Sequence, residues 1–125
     1  MQSGVWVAIA LGGAVGSALR FGVSRALGEA LGPGFPWGTL GVNALGCFAM
    51  GALLGPGGPA QELREPLRLG LVVGVLGGFT TFSAFAFETV RLVQAGHAAL
   101  GLANAGANVV GCLLACAAGM ALASR

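Results

Sequence analysis

The sequence predicts an all-α integral membrane protein with four transmembrane helices, and three observations carry that prediction. Of the 125 residues, 56% are hydrophobic and only 8% are charged, against roughly 25% charged in an average soluble domain. The 6 Lys plus Arg, 4 Asp plus Glu and single His are too few to cover a water-exposed surface,. The 24 glycines are interspersed with Val, Leu and Ala rather than with Ser, Gln and charge, a composition that suits close helix packing in a bilayer. A net charge of +2 with no basic stripe excludes nucleic acid as a partner,.

A hydrocarbon core of about 30 Å needs roughly 20 apolar residues in a helix. The first such run extends from about Val5 to Leu27 and carries Arg20 near its far end, after which Gly32-Pro33-Gly34-Phe35-Pro36 turns the chain,. No basic region precedes it, so it is not expected to be a cleaved signal peptide. The second run extends from about Trp37 to Leu54 and ends in Gly55-Pro56-Gly57-Gly58-Pro59. Gln61 to Arg68 is polar and belongs in water or headgroups. The third run covers about Leu67 to Val93 and the fourth about Ala98 to Ala123, giving one four-helix transmembrane domain over residues 1–125. Trp6 and Trp37 fall at span ends, where aromatic belts form. His97 lies in the turn between the third and fourth spans. Cys47, Cys112 and Cys116 sit in apolar runs without His at metal-ligand spacing and read as small packing residues.

With four spans, both termini and the Gln61 to Arg68 connection share one side, which collects Arg64, Arg68 and Arg125. The opposite side has Arg25 and Arg91, with Arg20 added if its head snorkels outward. Orientation normally follows an excess of basic residues in cytoplasmic loops, and here there is almost none. Such a tie predicts insertion both ways up, and with it an antiparallel dual-topology homodimer, the two-chain analogue of an inverted repeat. Four helices of this size pack around side chains and leave no lumen, so a pathway is more easily built between copies.

The third span contains Gly77-Gly78-Phe79-Thr80-Thr81-Phe82-Ser83-Ala84-Phe85, a poor continuous helix,. A segment of about 27 residues, near 40 Å at the helical rise, is long enough to break at mid-membrane and still span. Two readings stand, a functional break that lines a cavity and a Gly-Thr-rich packing patch. Phe82 and Phe85 share a helix face; they either pack or present positive ring edges to a small anion. Asn43, mid-span and one turn after Thr39, needs hydrogen-bond partners, as do Asn104 and Asn108 on the fourth span. Arg20 and Glu88 are the charges deepest in lipid and are functional candidates on that ground.

These residues together resemble the CrcB/Fluc family of fluoride channels. The resemblance runs through Gly12-Gly13-Ala14-Val15-Gly16-Ser17-Ala18-Leu19-Arg20, Gly38-Thr39-Leu40-Gly41-Val42-Asn43 with Gly46, the Gly77 to Ser83 run with Phe85 and Glu88, and Asn104, Asn108 and Gly111. It implies a dual-topology homodimer in the cell's inner or plasma membrane that carries two antiparallel pores and lets fluoride leave the cytoplasm passively. It also implies a structural Na+ at the dimer centre, on the backbone carbonyls of Gly77 and Thr80. By the same resemblance Phe82 and Phe85 are the phenyl groups facing the ion and Asn43 the amide donor beside its path, with Thr81, Ser83 and Asn108 as further polar members. Phe79 and Ala84 stand where many members have Leu and Thr, and Cys112 replaces a common Ser with a weaker donor.

Two other functions fit four spans. A proton-coupled small multidrug transporter needs a carboxylate in its first span, which here has none before Glu29. A non-transporting assembly module would use the mid-span Asn, Thr and Phe for packing alone. An enzyme is not expected, because no Cys or Ser is arranged with the single His.

Overall fold

The computed structural model describes residues 2–125. It is all-helical, with four helices long and apolar enough to cross a membrane. The first helix, α1, covers Gln2–Leu31 and outruns the expected 5–27 at both ends. Residues 27–31 hold no proline, and Arg25 donates to Glu29 one turn on at 2.9 Å, which supports the last turns across Gly28,. Termination comes at Gly32, whose φ of +90° only glycine adopts readily,. The next helix, α2, covers Trp37–Leu54, and a 3₁₀ turn at Pro59–Glu62 leads to α3, Glu65–Leu69.

From α3 the chain continues into a π-helical segment, Gly70–Leu76, which the sequence reading did not foresee. Its wider turns lie against α1 at the glycines of that helix. A Cβ on Gly12 would strike the Gly70 carbonyl, and one on Gly16 the Val75 carbonyl. Close backbone approach, not side-chain interdigitation, therefore joins α1 to this segment. A single turn, α4 (Gly77–Phe79), follows, and then Thr80 and Thr81 adopt extended backbone with ψ of 160° and 115° before α5, Phe82–Gln94. The last helix, α6, covers Ala98–Ala123 and packs chiefly on α2 and α5. His97 is exposed in the α5–α6 turn.

The distribution of polarity is inverted relative to a soluble protein. Among the described residues the buried hydrophobic side chains are only Val42, Ala60 and Leu76, whereas Thr39, Asn43, Asn104 and Asn108 are buried polar groups. Large apolar side chains such as Trp6, Phe21, Leu102 and Leu113 face outward. Glycine and asparagine fill the interior and apolar side chains form the surface, as expected where the surroundings are lipid.

Candidate functional site

The site is built around the interruption between α4 and α5. An uninterrupted helix would give the Thr81 N–H to the Gly77 carbonyl and the Ala84 N–H to the Thr80 carbonyl. Instead Thr81 N–H donates to Asn43 Oδ1 at 2.7 Å, and Ala84 N–H donates to Thr81 Oγ1 at 3.1 Å. The Gly77 and Thr80 carbonyls thus lose their helical donors. The neighbouring Gly78 carbonyl is met by Arg20, whose Nε donates to it at 2.9 Å. Arg20 therefore points into the protein at the interruption instead of snorkelling to a membrane surface. Leu76 O accepts both the backbone N–H and the hydroxyl of Thr80, each at 3.1 Å.

Asn43 holds the extended segment from α2. Its amide nitrogen donates to Thr81 O at 3.0 Å and to Asn108 Oδ1 at 3.1 Å, while its oxygen accepts from Thr81 N–H. Behind it, Asn108 Nδ2 donates to the backbone carbonyl and to Oδ1 of Asn104, both at 3.0 Å. Asn104, which is fully buried, donates to Thr89 Oγ1 at 2.9 Å, and Thr89 donates to Phe85 O at 2.7 Å. Each buried amide is thereby satisfied, as a low-dielectric interior requires.

The front of this cluster opens on a groove of about 480 Å³ lined by Asn43, Thr80, Thr81, Phe82, Phe85 and Asn108, with Cys47, Cys112 and Cys116 extending the same helix faces. Phe82 and Phe85 meet edge to face, with centroids 5.3 Å apart and an interplanar angle of 63°. Phe82 is 78% exposed, so on a single chain it forms part of the outer surface. Ser83 is exposed and its hydroxyl lies 3.2 Å from that of Thr81.

The remaining candidates lie elsewhere. Arg20 and Thr39 line a second groove, of about 530 Å³, that reaches Thr81 from the α1 side. The extended segment therefore separates two openings. Glu88 lies under the connection from Pro33 to Pro36, its Oε1 buried without a hydrogen-bond partner. Among the described residues the one ion pair is the exposed Arg25–Glu29 contact. One contributor to the network was missed in the sequence. Thr89 carries no motif, although its position between Phe85 and Asn104 on adjacent spans was a usable signal. Cys47, one turn after Asn43, was read as a small packing residue, and it lines the same groove as Cys112.

Four apolar spans enclosing a buried network of uncharged amides and hydroxyls define a multi-pass membrane protein. Residues 7–120 match the family described as CrcB-like protein, Camphor Resistance (CrcB), and the chain belongs to that family. It is 45% identical over 120 residues to a protein of Sorangium cellulosum named fluoride-specific ion channel FluC, covering 96% of this chain and 94% of the relative. Proteins of the same name from Aeromonas salmonicida and Sphingopyxis alaskensis are 45% and 46% identical, the alignments covering 96% and 91% of this chain and 97% and 90% of those relatives.

Proposed function

We propose that this chain is a fluoride-selective passive channel that lets fluoride leave the cytoplasm, assembled as an antiparallel homodimer with the interruption of the third span at mid-membrane. The observation that carries the reading is the Asn43–Thr81–Phe82–Phe85 cluster at the mouth of an otherwise apolar groove. Fluoride is small and a strong hydrogen-bond acceptor, so amide and hydroxyl donors suit it, and positive phenyl edges replace part of its lost water. None of the groove's lining residues is charged. Neutral donors bind an anion firmly enough to admit it and weakly enough to release it, which conduction requires.

The antiparallel dimer is supported by the near balance of basic residues on the two sides, which becomes three against two once Arg20 is directed to Gly78. Arg64, Arg68 and Arg125 oppose Arg25 and Arg91. Exposure of Phe82 on the single chain agrees with a pathway completed by a second copy. A structural sodium ion fits the donor set, because Gly77 and Thr80 present backbone carbonyls without helical donors and hard oxygen ligands suit an alkali cation. Bound there, the cation would neutralise carbonyl dipoles that the interruption leaves uncompensated. Asn43 holds Thr81 extended, and Arg20 satisfies the neighbouring Gly78 carbonyl. The polar track would run past Thr81, Ser83 and Asn108, with Thr39, Glu88 and Asn104 as flanking candidates.

The deciding experiment is efflux from liposomes loaded with fluoride or chloride, with a potassium ionophore to shunt charge. Fluoride is expected to leave and chloride to stay. Chloride loss at a comparable rate, or no loss of either ion, would sink the reading.

A further inference from the structure

The arrangement of the buried amides carries a consequence for how an ion reaches Asn43, and it rests on the channel reading above. Asn43 has two amide hydrogens, and both are engaged. One goes to Thr81 O, as half of a two-bond pairing whose other half is Thr81 N–H to Asn43 Oδ1. Giving up that hydrogen would undo the extended segment itself. The other hydrogen goes to Asn108 Oδ1 at 3.1 Å. It alone can be transferred to an ion while the segment keeps its shape.

The direction of the Asn108 amide is fixed by its neighbours. Its Nδ2 faces two acceptors on Asn104, the backbone carbonyl and Oδ1. Turning the amide over would set oxygen against those two oxygens and nitrogen against the Asn43 nitrogen, losing all three bonds. Asn104 is oriented in turn, because its own Nδ2 donates to Thr89 Oγ1 and the Thr89 hydrogen is committed to Phe85 O. Donation therefore runs one way from Asn43 through Asn108, Asn104 and Thr89 to the Phe85 carbonyl. Asn43, Asn104 and Asn108 are 9%, 0% and 6% exposed, so water is a poor substitute partner within the chain.

We propose that Asn108 is a positioning residue whose side-chain oxygen occupies the acceptor place on the Asn43 amide and is exchanged for the permeating fluoride, setting how much fluoride half-fills the pathway. Fluoride takes the hydrogen that Asn108 Oδ1 releases, and no covalent bond changes. The Asn108 oxygen keeps the donor oriented when no ion is present and makes ion entry an exchange of acceptors. Asn104 and Thr89 act through Asn108 by holding its oxygen toward Asn43.

The test is fluoride flux through reconstituted full-length protein as a function of fluoride concentration. Asn108→Ala removes the competing oxygen, and the half-saturating concentration should fall about fivefold, one ordinary hydrogen bond's worth. Asn108→Asp keeps an acceptor facing Asn43, makes it stronger and adds repulsion, so half-saturation should move upward. Opposite shifts are the supporting result. A role in helix packing alone would lower thermal stability in both variants and leave half-saturation in place, and that outcome would overturn the proposal. Should both variants fail to fold, side-chain amide NMR of the unmodified protein decides. Added fluoride should move the Asn43 and Asn108 signals at one midpoint, and an Asn108 signal that stays put while Asn43 moves would refute the exchange. No fluoride flux in the unmodified protein is a different result, and it removes the channel reading itself.

Discussion

At the scale of single residues, Asn43 holds the extended segment and is the proposed donor to the ion, and substitutions separate the two. Its oxygen holds Thr81 N–H and its nitrogen holds Thr81 O. An ionised aspartate at this position keeps the acceptor, has no donor, and places a negative charge on the path. At about 4 Å and an effective dielectric of about 20 that repulsion is about 4 kcal/mol. Asn43→Asp should therefore reduce fluoride flux by at least ~100-fold, and Asn43→Ser, which retains a hydroxyl, should reduce it less. Both are read in the liposome assay on protein that elutes as the unmodified protein does. The phenyl pair is tested separately. If Phe82 and Phe85 only pack, conversion of both to Leu should cost less than about 1.5 kcal/mol of stability and spare transport. If their edges face the ion, flux should fall more than about tenfold in well-folded double mutant, because leucine has no comparable quadrupole.

At the scale of elements, the join between α1 and the π segment depends on glycine in a way that two substitutions expose. Gly16 lies where a Cβ would strike the Val75 carbonyl, whereas nothing lies within 4 Å of a Cβ on Gly22. Gly16→Ala should lower thermal stability in detergent by about 1–3 kcal/mol, as overpacking does. Gly22→Ala on the same helix should be neutral or slightly stabilising through helix propensity, and equal effects would contradict the packing described. The sodium proposal also belongs to this scale. Exchange of sodium for a bulky organic cation should destabilise the proposed dimer, and restoring sodium should reverse the loss on a melting curve. Much at this level was legible in the sequence. The four apolar runs follow from length and hydropathy, and the abundance of glycine among Val, Leu and Ala pointed to close helix packing,. The π segment was not legible, because a glycine-rich apolar run reads the same for either helical pitch. Nor was the Asn43–Thr81 pairing, since donors and acceptors 38 residues apart in sequence meet only through the fold. The aromatic spacing of Phe82 and Phe85 was read correctly as one face, but not that Phe82 lies on the outer surface of the chain.

At the scale of the whole molecule, the charge distribution and the direction of Arg20 together bear on insertion. A tag on the C-terminus should appear on both sides of the membrane in comparable amounts, because three basic residues oppose two and that difference is a weak orienting signal. Adding two or three Arg to the side of Gln61–Arg68 should drive the population to one orientation. If the working unit is antiparallel, such a protein should lose flux when expressed alone and recover it when co-expressed with a copy biased the other way. Neither copy has a changed Asn43, Phe82 or Phe85, so recovery cannot come from repair of the groove. It must come from supplying the missing orientation. The flux that returns should be passive: a membrane potential of 100 mV drives a single charge with about 2.3 kcal/mol, so efflux should follow the potential set by the ionophore and persist when the proton gradient is collapsed. A proton-coupled carrier would stop under that condition, and its carboxylate would have to be Glu88 in the third span, since Glu29 lies at the exposed end of α1 paired with Arg25. Full flux from a single-orientation population would instead show that the pathway is complete within one chain or within a parallel pair. In that case the exposed Phe82 would have to meet lipid rather than the ion.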